Sequence, residues 1–159
     1  MVNLLKMELQ YSWEPFTSQG KHLTFREHCN SQLVPAVCSH WGPAVYKWEG
    51  LLTEGEHAGK TGILVGQCGD LRQRIKQYIS GTQDRGNKYW REQFLNKGKI
   101  YLYILKLVKA IMQDALGEPL PIVNESLASQ NIRLVLEQLL ILREVVHKNG
   151  NRWIVNRAL

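Results

Sequence analysis

Residues 99–107 read KIYLYILKL. A β-strand sends successive side chains to opposite faces, and here both alternations carry large apolar groups: Ile100, Leu102 and Ile104 on one, Tyr101, Tyr103 and Leu105 on the other. Such a strand is at home only in the middle of a sheet whose two faces are both covered. With 159 residues the chain has the material for one domain of that kind, and can bury its core without disulfide or metal staples.

The remaining elements follow from local pattern. AVYKW (44–48) and TGILVG (61–66) are strand-like in their β-branched and aromatic content. The polar, glycine-bearing stretch between them predicts an antiparallel hairpin with a long tip. Asp70 is a good N-cap for a helix over 71–79, whose apolar set Leu71, Ile75, Tyr78 and Ile79 lies on one face. A second helix is predicted over 87–96, burying Tyr89, Trp90 and Phe94. A third covers 131–147, apolar nearly all round and therefore expected to be largely buried. Residues 1–42 carry a short helix near Phe25–His28 and prolines at 35 and 43, and read as an extension packed on a core domain of 43–159. The expected fold is α/β: a small three-stranded antiparallel sheet flanked by helices.

Charge narrows the partners. The chain carries a formal +6, yet between Lys60 and Lys109 there are 11 Lys and Arg against three acids, a local +8 that leaves −2 for the rest. Tyr78, Tyr89, Trp90, Tyr101 and Tyr103 lie within that basic stretch. A basic segment with interleaved aromatics is a footprint for a polyanion; a solvated basic face, or one that binds an acidic protein, is the alternative. No run of 18 apolar residues exists, so no membrane span is expected. The N-terminus lacks a signal-peptide core, and three cysteines without a CxxC pair indicate reduced thiols; together these point to the cytoplasm.

Familiar catalytic motifs are missing: there is no HExxH, no GxSxG, and no GK[ST] after the glycines at 62, 66 and 69, so that trio is not a phosphate-cradling loop of the common kind. The five histidines lack ligand spacing. Two charged residues stand out by position. Arg74, between Leu71 and Tyr78, is on the sheet-facing side of its helix, and a guanidinium turned inward needs an anion. Asp70 at i−4 or a phosphate can supply it. Glu137 sits among Leu134, Leu140 and Ile141, and a carboxylate there needs either Arg133 as partner or a divalent cation.

The order of these features resembles the GIY-YIG nuclease family. Ala44-Val45-Tyr46 resembles the first motif and Leu64-Val65-Gly66 the second. Arg74 falls eight residues after Gly66, Tyr78 at a position that holds His or Tyr, Glu137 where the family has its metal-binding glutamate, and Asn156 near a terminal asparagine. The resemblance spans residues 43–157. It implies a Mg²⁺-dependent (or Mn²⁺-dependent) endonuclease that hydrolyses DNA phosphodiesters. Tyr46, as phenolate or through water, would help deprotonate the attacking water; Arg74 would neutralise phosphoryl charge; Glu137 would hold the metal. Arg72, Lys76, Lys88 and Arg91 would track the DNA backbone. A type II restriction enzyme, as a homodimer or alone, fits the small size, with recognition loops at 49–60 and 108–130. Leu64 stands where the second motif has its tyrosine, and Lys60 is a candidate to replace that phenol in part. The same departure favours the alternative, a nucleic-acid-binding protein on this fold that has lost catalysis.

Overall fold

The computed structural model describes residues 4–30, 38–80, 94–114, 117–147 and 150–156. Six strands are described: β1 (Leu5–Pro15), β2 (Ala44–Leu52), β3 (Thr61–Cys68), β4 (Gly98–Asp114), β5 (Leu120–Pro121) and β6 (Arg152–Ile154). The helices are α1 (Phe25–Asn30), α2 (Leu71–Ser80) and α3 (Gln130–Val146), with a 3₁₀ turn at Asn124–Ala128. The sheet runs β1-β4-β2-β3-β6, with β5 pairing onto β4.

The apolar strand is central, as its composition requires. β4 lies between β1 and β2, antiparallel to both. On one face Tyr46, Trp48, Leu64, Ile100 and Leu102 pack with Leu71 and Ile75 of α2 and with Phe16, Phe25 and Phe94. On the other, Val45, Ile63, Val65, Leu105 and Leu107 pack beneath Leu136, Leu140 and Ile141 of α3. The predicted hairpin also forms: β2 and β3 pair antiparallel with Tyr46 opposite Gly66.

The expected small three-stranded antiparallel sheet is overturned. The sheet has six strands, is mixed, and curls into a half-barrel. The mixed character comes from β6, which pairs parallel to β3 at Thr61–Ile63. The larger addition is β1, which pairs with β4 along its whole length. Met7, Leu9, Tyr11 and Trp13 face the α3 core, while Lys6, Gln10, Ser12 and Glu14 alternate with them. Gln10 opposes Lys109 and Tyr11 opposes Leu107, so Val108 is an extra residue. A bulge of this kind raises local twist and bends the strand; here it contributes to the curl.

Three further expectations change. α3 is not buried all round: Val135, Leu139, Leu142 and Val146 form an exposed stripe opposite its core face. The stretch 108–130 is not a free loop. β4 continues to Asp114, and the Asn124 side chain receives the Leu107 N–H at 3.0 Å and donates to the Leu107 carbonyl at 3.1 Å. In 49–60, β2 continues to Leu52 before the chain turns. The helix expected over 87–96, with Lys88, Tyr89, Trp90 and Arg91, lies mostly outside the described residues.

A charge ladder ties the sheet to α3 on the second face. Lys47 meets Glu49 at 2.7 Å, Glu49 meets Arg152 at 3.6 Å, and Arg152 meets Glu144 at 3.0 Å. Arg143 adds a contact to Glu144 at 3.3 Å. Lys47 is also covered by the Trp13 ring, 5.0 Å from its centroid. The buried Glu144 is therefore paired, as a desolvated carboxylate must be.

Candidate active site

Tyr46 is delivered by hairpin register. Its ring lies across Gly66, its cross-strand partner; a Cβ added at Gly66 would fall 2.5 Å from the phenolic oxygen. The glycine of the second motif thus makes room for the tyrosine of the first. On the same face of the sheet, α2 begins at Asp70, whose Oδ1 accepts the Gln73 N–H at 2.9 Å, the N-cap bond expected from sequence. The Leu71 N–H donates to the Trp41 carbonyl at 3.1 Å, which ties the start of α2 to the start of β2. Leu71 and Ile75 bury one stripe of the helix, and Tyr78, one turn on from Arg74, follows that stripe inward. The Tyr46 and Tyr78 hydroxyls share a hydrogen bond of 2.9 Å, with the rings edge-to-face at 6.3 Å. Tyr46 is only 3% exposed; Tyr78 is half-buried.

Arg74 connects these phenols to the carboxylate on α3. Burial pushes the Tyr46 phenol well above its ordinary range, Tyr78 raises it further, and the Arg74 guanidinium opposes both. Burial pushes the Cys68 thiol up to about 11, again against Arg74. Burial raises the Glu137 carboxyl, and the opposing charge is once more Arg74. One guanidinium therefore sits within electrostatic reach of Tyr46, Cys68 and Glu137. Those residues come from β2, β3 and α3, and Arg74 from α2.

The local ion pairs considered from sequence do not form. Asp70 is engaged as the α2 cap. Arg133 turns away from Glu137: its Nε donates to Gln67 Oε1 at 3.1 Å, and its Nη1 to the Leu127 and Ala128 carbonyls at 2.7 and 2.9 Å. The reason is geometric. Arg133 lies on the core stripe with Leu136 and Leu140 and is drawn beneath the helix to the open carbonyls of the 3₁₀ turn, whereas Glu137 lies at the edge of that stripe.

Other candidates fall apart from this group. Lys60 precedes β3 at the hairpin tip, six residues from Gly66, or about 20 Å along an extended strand. It does not reach Tyr46. Leu64 packs in the core opposite Trp48. Asn156 holds backbone: it accepts the Val65 N–H at 2.8 Å and donates to the Val65 carbonyl at 2.7 Å. It thereby extends the β3 edge just past β6, next to Gly66. Asn156→Ala is expected to cost about 1–3 kcal/mol by leaving two strand-edge groups unsatisfied, read as a lower denaturation midpoint with an unchanged slope.

Arg72 stacks on the exposed Trp41, 4.5 Å from the ring centroid, and Lys76 is exposed on the outer face of α2. Tyr101 and Tyr103 are not free platforms, since His22 packs on both. Arg133, Gln67 and Cys68 did not stand out in the sequence as site residues, although Arg133 falls on the core stripe of an apolar helix and was visible on that ground.

Among the described residues no group of three or more His, Cys, Asp and Glu is gathered as a metal cage. Mg²⁺ does not require one; one or two carboxylates with substrate phosphates and water suffice. Glu137 suits that role: it is a half-buried carboxylate, raised by desolvation, that Arg133 does not neutralise. No helix among the described residues is long and apolar enough to cross a membrane. No family model matches the chain, and neither a curated protein nor a solved structure matches it.

Proposed function

We propose that this chain is a metal-dependent DNA endonuclease of the kind its resemblance to GIY-YIG nucleases implies, acting in the cytoplasm. The observation that carries the reading is the reach of Arg74 to both Tyr46 and Glu137. Residues separated by tens of positions, singled out for one chemistry, share one electrostatic neighbourhood.

In this reading the phenol pair moves the proton of the attacking water. A general base must lie within hydrogen-bond reach of the proton it takes. Tyr46 is buried and Tyr78 half-exposed, so Tyr78 faces the water and Tyr46 draws on it through the shared 2.9 Å bond. Arg74 faces the phosphoryl oxygens with a planar fork suited to them. Glu137 would hold Mg²⁺ or Mn²⁺, which when bound would supply stabilisation of the charge on the leaving oxygen. Arg72, Lys76, Lys88 and Arg91 supply backbone contacts.

Tyr46→Phe and Tyr78→Phe are each expected to lower the cleavage rate about 10²-fold or more, with DNA affinity unchanged. Because Tyr46 is held above the ordinary phenol range, the wild-type rate should climb with pH through neutrality. If Tyr46→Phe cuts at the normal rate, Tyr46 is a packing residue and Tyr78 acts without it.

Binding without catalysis is the second reading, favoured by Leu64 in the place of a phenol. Supercoiled plasmid incubated with and without Mg²⁺ separates the two. Nicked or linear product that EDTA suppresses supports the nuclease. Salt-sensitive binding with no product at any metal concentration supports the second reading.

A further inference from the structure

Arg133 is 6% exposed, yet no carboxylate among the described residues lies within 4 Å of it. Three of its contacts are to neutral oxygens: Gln67 Oε1 and the carbonyls of Leu127 and Ala128. These fix the guanidinium plane and partly solvate it, but they do not cancel its charge. A buried, uncompensated cation is costly. Neither Glu137 nor Asp70 answers it. Glu137 is one turn along, and the charge that acts on its carboxyl is Arg74. Asp70 Oδ1 is bound to the Gln73 N–H.

The remaining nitrogen, Nη2, makes none of these bonds. It lies 3.7 Å from the position a Cβ would take at Gly69. Gly69 and Asp70 are exposed and form the turn between β3 and α2. Arg133 and Arg74 both act on the Cys68 thiol at the end of β3. Glycine at position 69 places no side chain between the turn and Nη2, and Asp70, the acid at that turn, caps the N-terminus of α2.

We propose that Arg133 Nη2, beside the Gly69 turn, is a second phosphate subsite, taking a DNA backbone phosphate that neighbours the one Arg74 faces. The inference rests on the nuclease reading above and adds a binding residue to it. Nη2 is a pre-oriented donor: the other half of the fork is held on carbonyls, so little rotamer freedom is lost when an oxyanion arrives.

The test is the salt dependence of duplex-DNA binding, measured by fluorescence anisotropy in a Glu137→Gln protein that binds without cutting. Arg133→Gln should flatten the slope of log K against log salt by about 0.9, one phosphate contact, and weaken binding several-fold at low salt. Gly69→Asp is the second variant, and it does not remove the helix anchor. A Cβ fits there in ordinary contact, and the carboxylate reaches Nη2. It should raise the melting temperature and flatten the slope by a similar amount. In the Arg133→Gln background Gly69→Asp should flatten it no further.

An unchanged slope in both variants overturns the subsite while leaving the nuclease reading in place. Equal losses from Gly69→Asp with and without Arg133 also overturn it, since the effect would then be general repulsion. If Arg133→Gln does not fold, an unchanged slope in Gly69→Asp overturns the subsite alone, and the paired stabilisation and flattening support it. If the Glu137→Gln parent shows no salt-dependent DNA binding, the subsite and the nuclease reading fall together.

Discussion

Glu137→Gln is expected to yield a protein that binds DNA, does not cut it, and melts a few degrees above wild type in EDTA. The rise follows from sign and magnitude. Burial raises the Glu137 carboxyl, and the attraction of Arg74 only partly offsets this. A group whose pKa is higher in the folded state contributes stability at pH values below its unfolded pKa, and loses it as pH rises through the folded value. At neutral pH wild type therefore carries the cost of an ionised, half-desolvated carboxylate, and the amide does not. The advantage of Gln should shrink as pH falls and vanish below the ordinary carboxylate range. Mg²⁺ separates the variants again. At 100 times its dissociation constant a metal that binds only the native state adds about 2.7 kcal/mol, roughly 5–10 °C for a chain of this size. Wild type should show that shift and Glu137→Gln should not. A mutant that cuts at the wild-type rate, or whose melting point responds equally to Mg²⁺, removes Glu137 from the metal site.

Arg74→Lys is expected to lower the cleavage rate about 10²- to 10³-fold, the range for losing one donor aimed at developing charge. Lysine keeps the cation, so Glu137 and Tyr46 retain a positive neighbour and the fold survives. What is lost is the planar fork. Arg74→Met should go further: with the opposing charge gone, Glu137 rises again, and the acid limb of the pH–rate profile moves to higher pH. If Arg74→Lys and Arg74→Met give identical profiles, the guanidinium does not couple to Glu137.

The interior was legible in the sequence where one pattern had one reading. KIYLYILKL had to be a covered central strand, and Asp70 had to cap α2. The β1 strand was missed, although Leu5, Met7, Leu9, Tyr11 and Trp13 alternate with polar residues. Its membership in this sheet, however, depends on a pairing with β4 about a hundred residues away, which local pattern does not specify. β6 spans only Arg152–Ile154 and carries no periodic signal of its own. α3 misled because an apolar composition was read as all-round burial, while the helix buries one stripe and leaves another outside.

The candidate site was legible one residue at a time, since Tyr46, Arg74, Tyr78 and Glu137 each stood out by position. The partners were not. Asp70 and Arg133 were the nearest opposite charges in sequence to Arg74 and Glu137, yet the cap geometry engaged one and the 3₁₀ carbonyls engaged the other. Helical spacing states which side chains can meet. It does not state which competing acceptor wins.

The central claim is that Arg74 joins the phenol pair and Glu137 into one DNA-cleaving centre. Single-turnover cleavage of a DNA duplex in saturating Mg²⁺, wild type beside Arg74→Lys, tests it most directly. The account predicts metal-dependent cleavage by wild type and a loss of at least about 10²-fold in the mutant, with equal DNA affinity and an intact melting transition. Cleavage by Arg74→Lys at the wild-type rate, or a well-folded wild type that binds DNA and never cuts it, would contradict it.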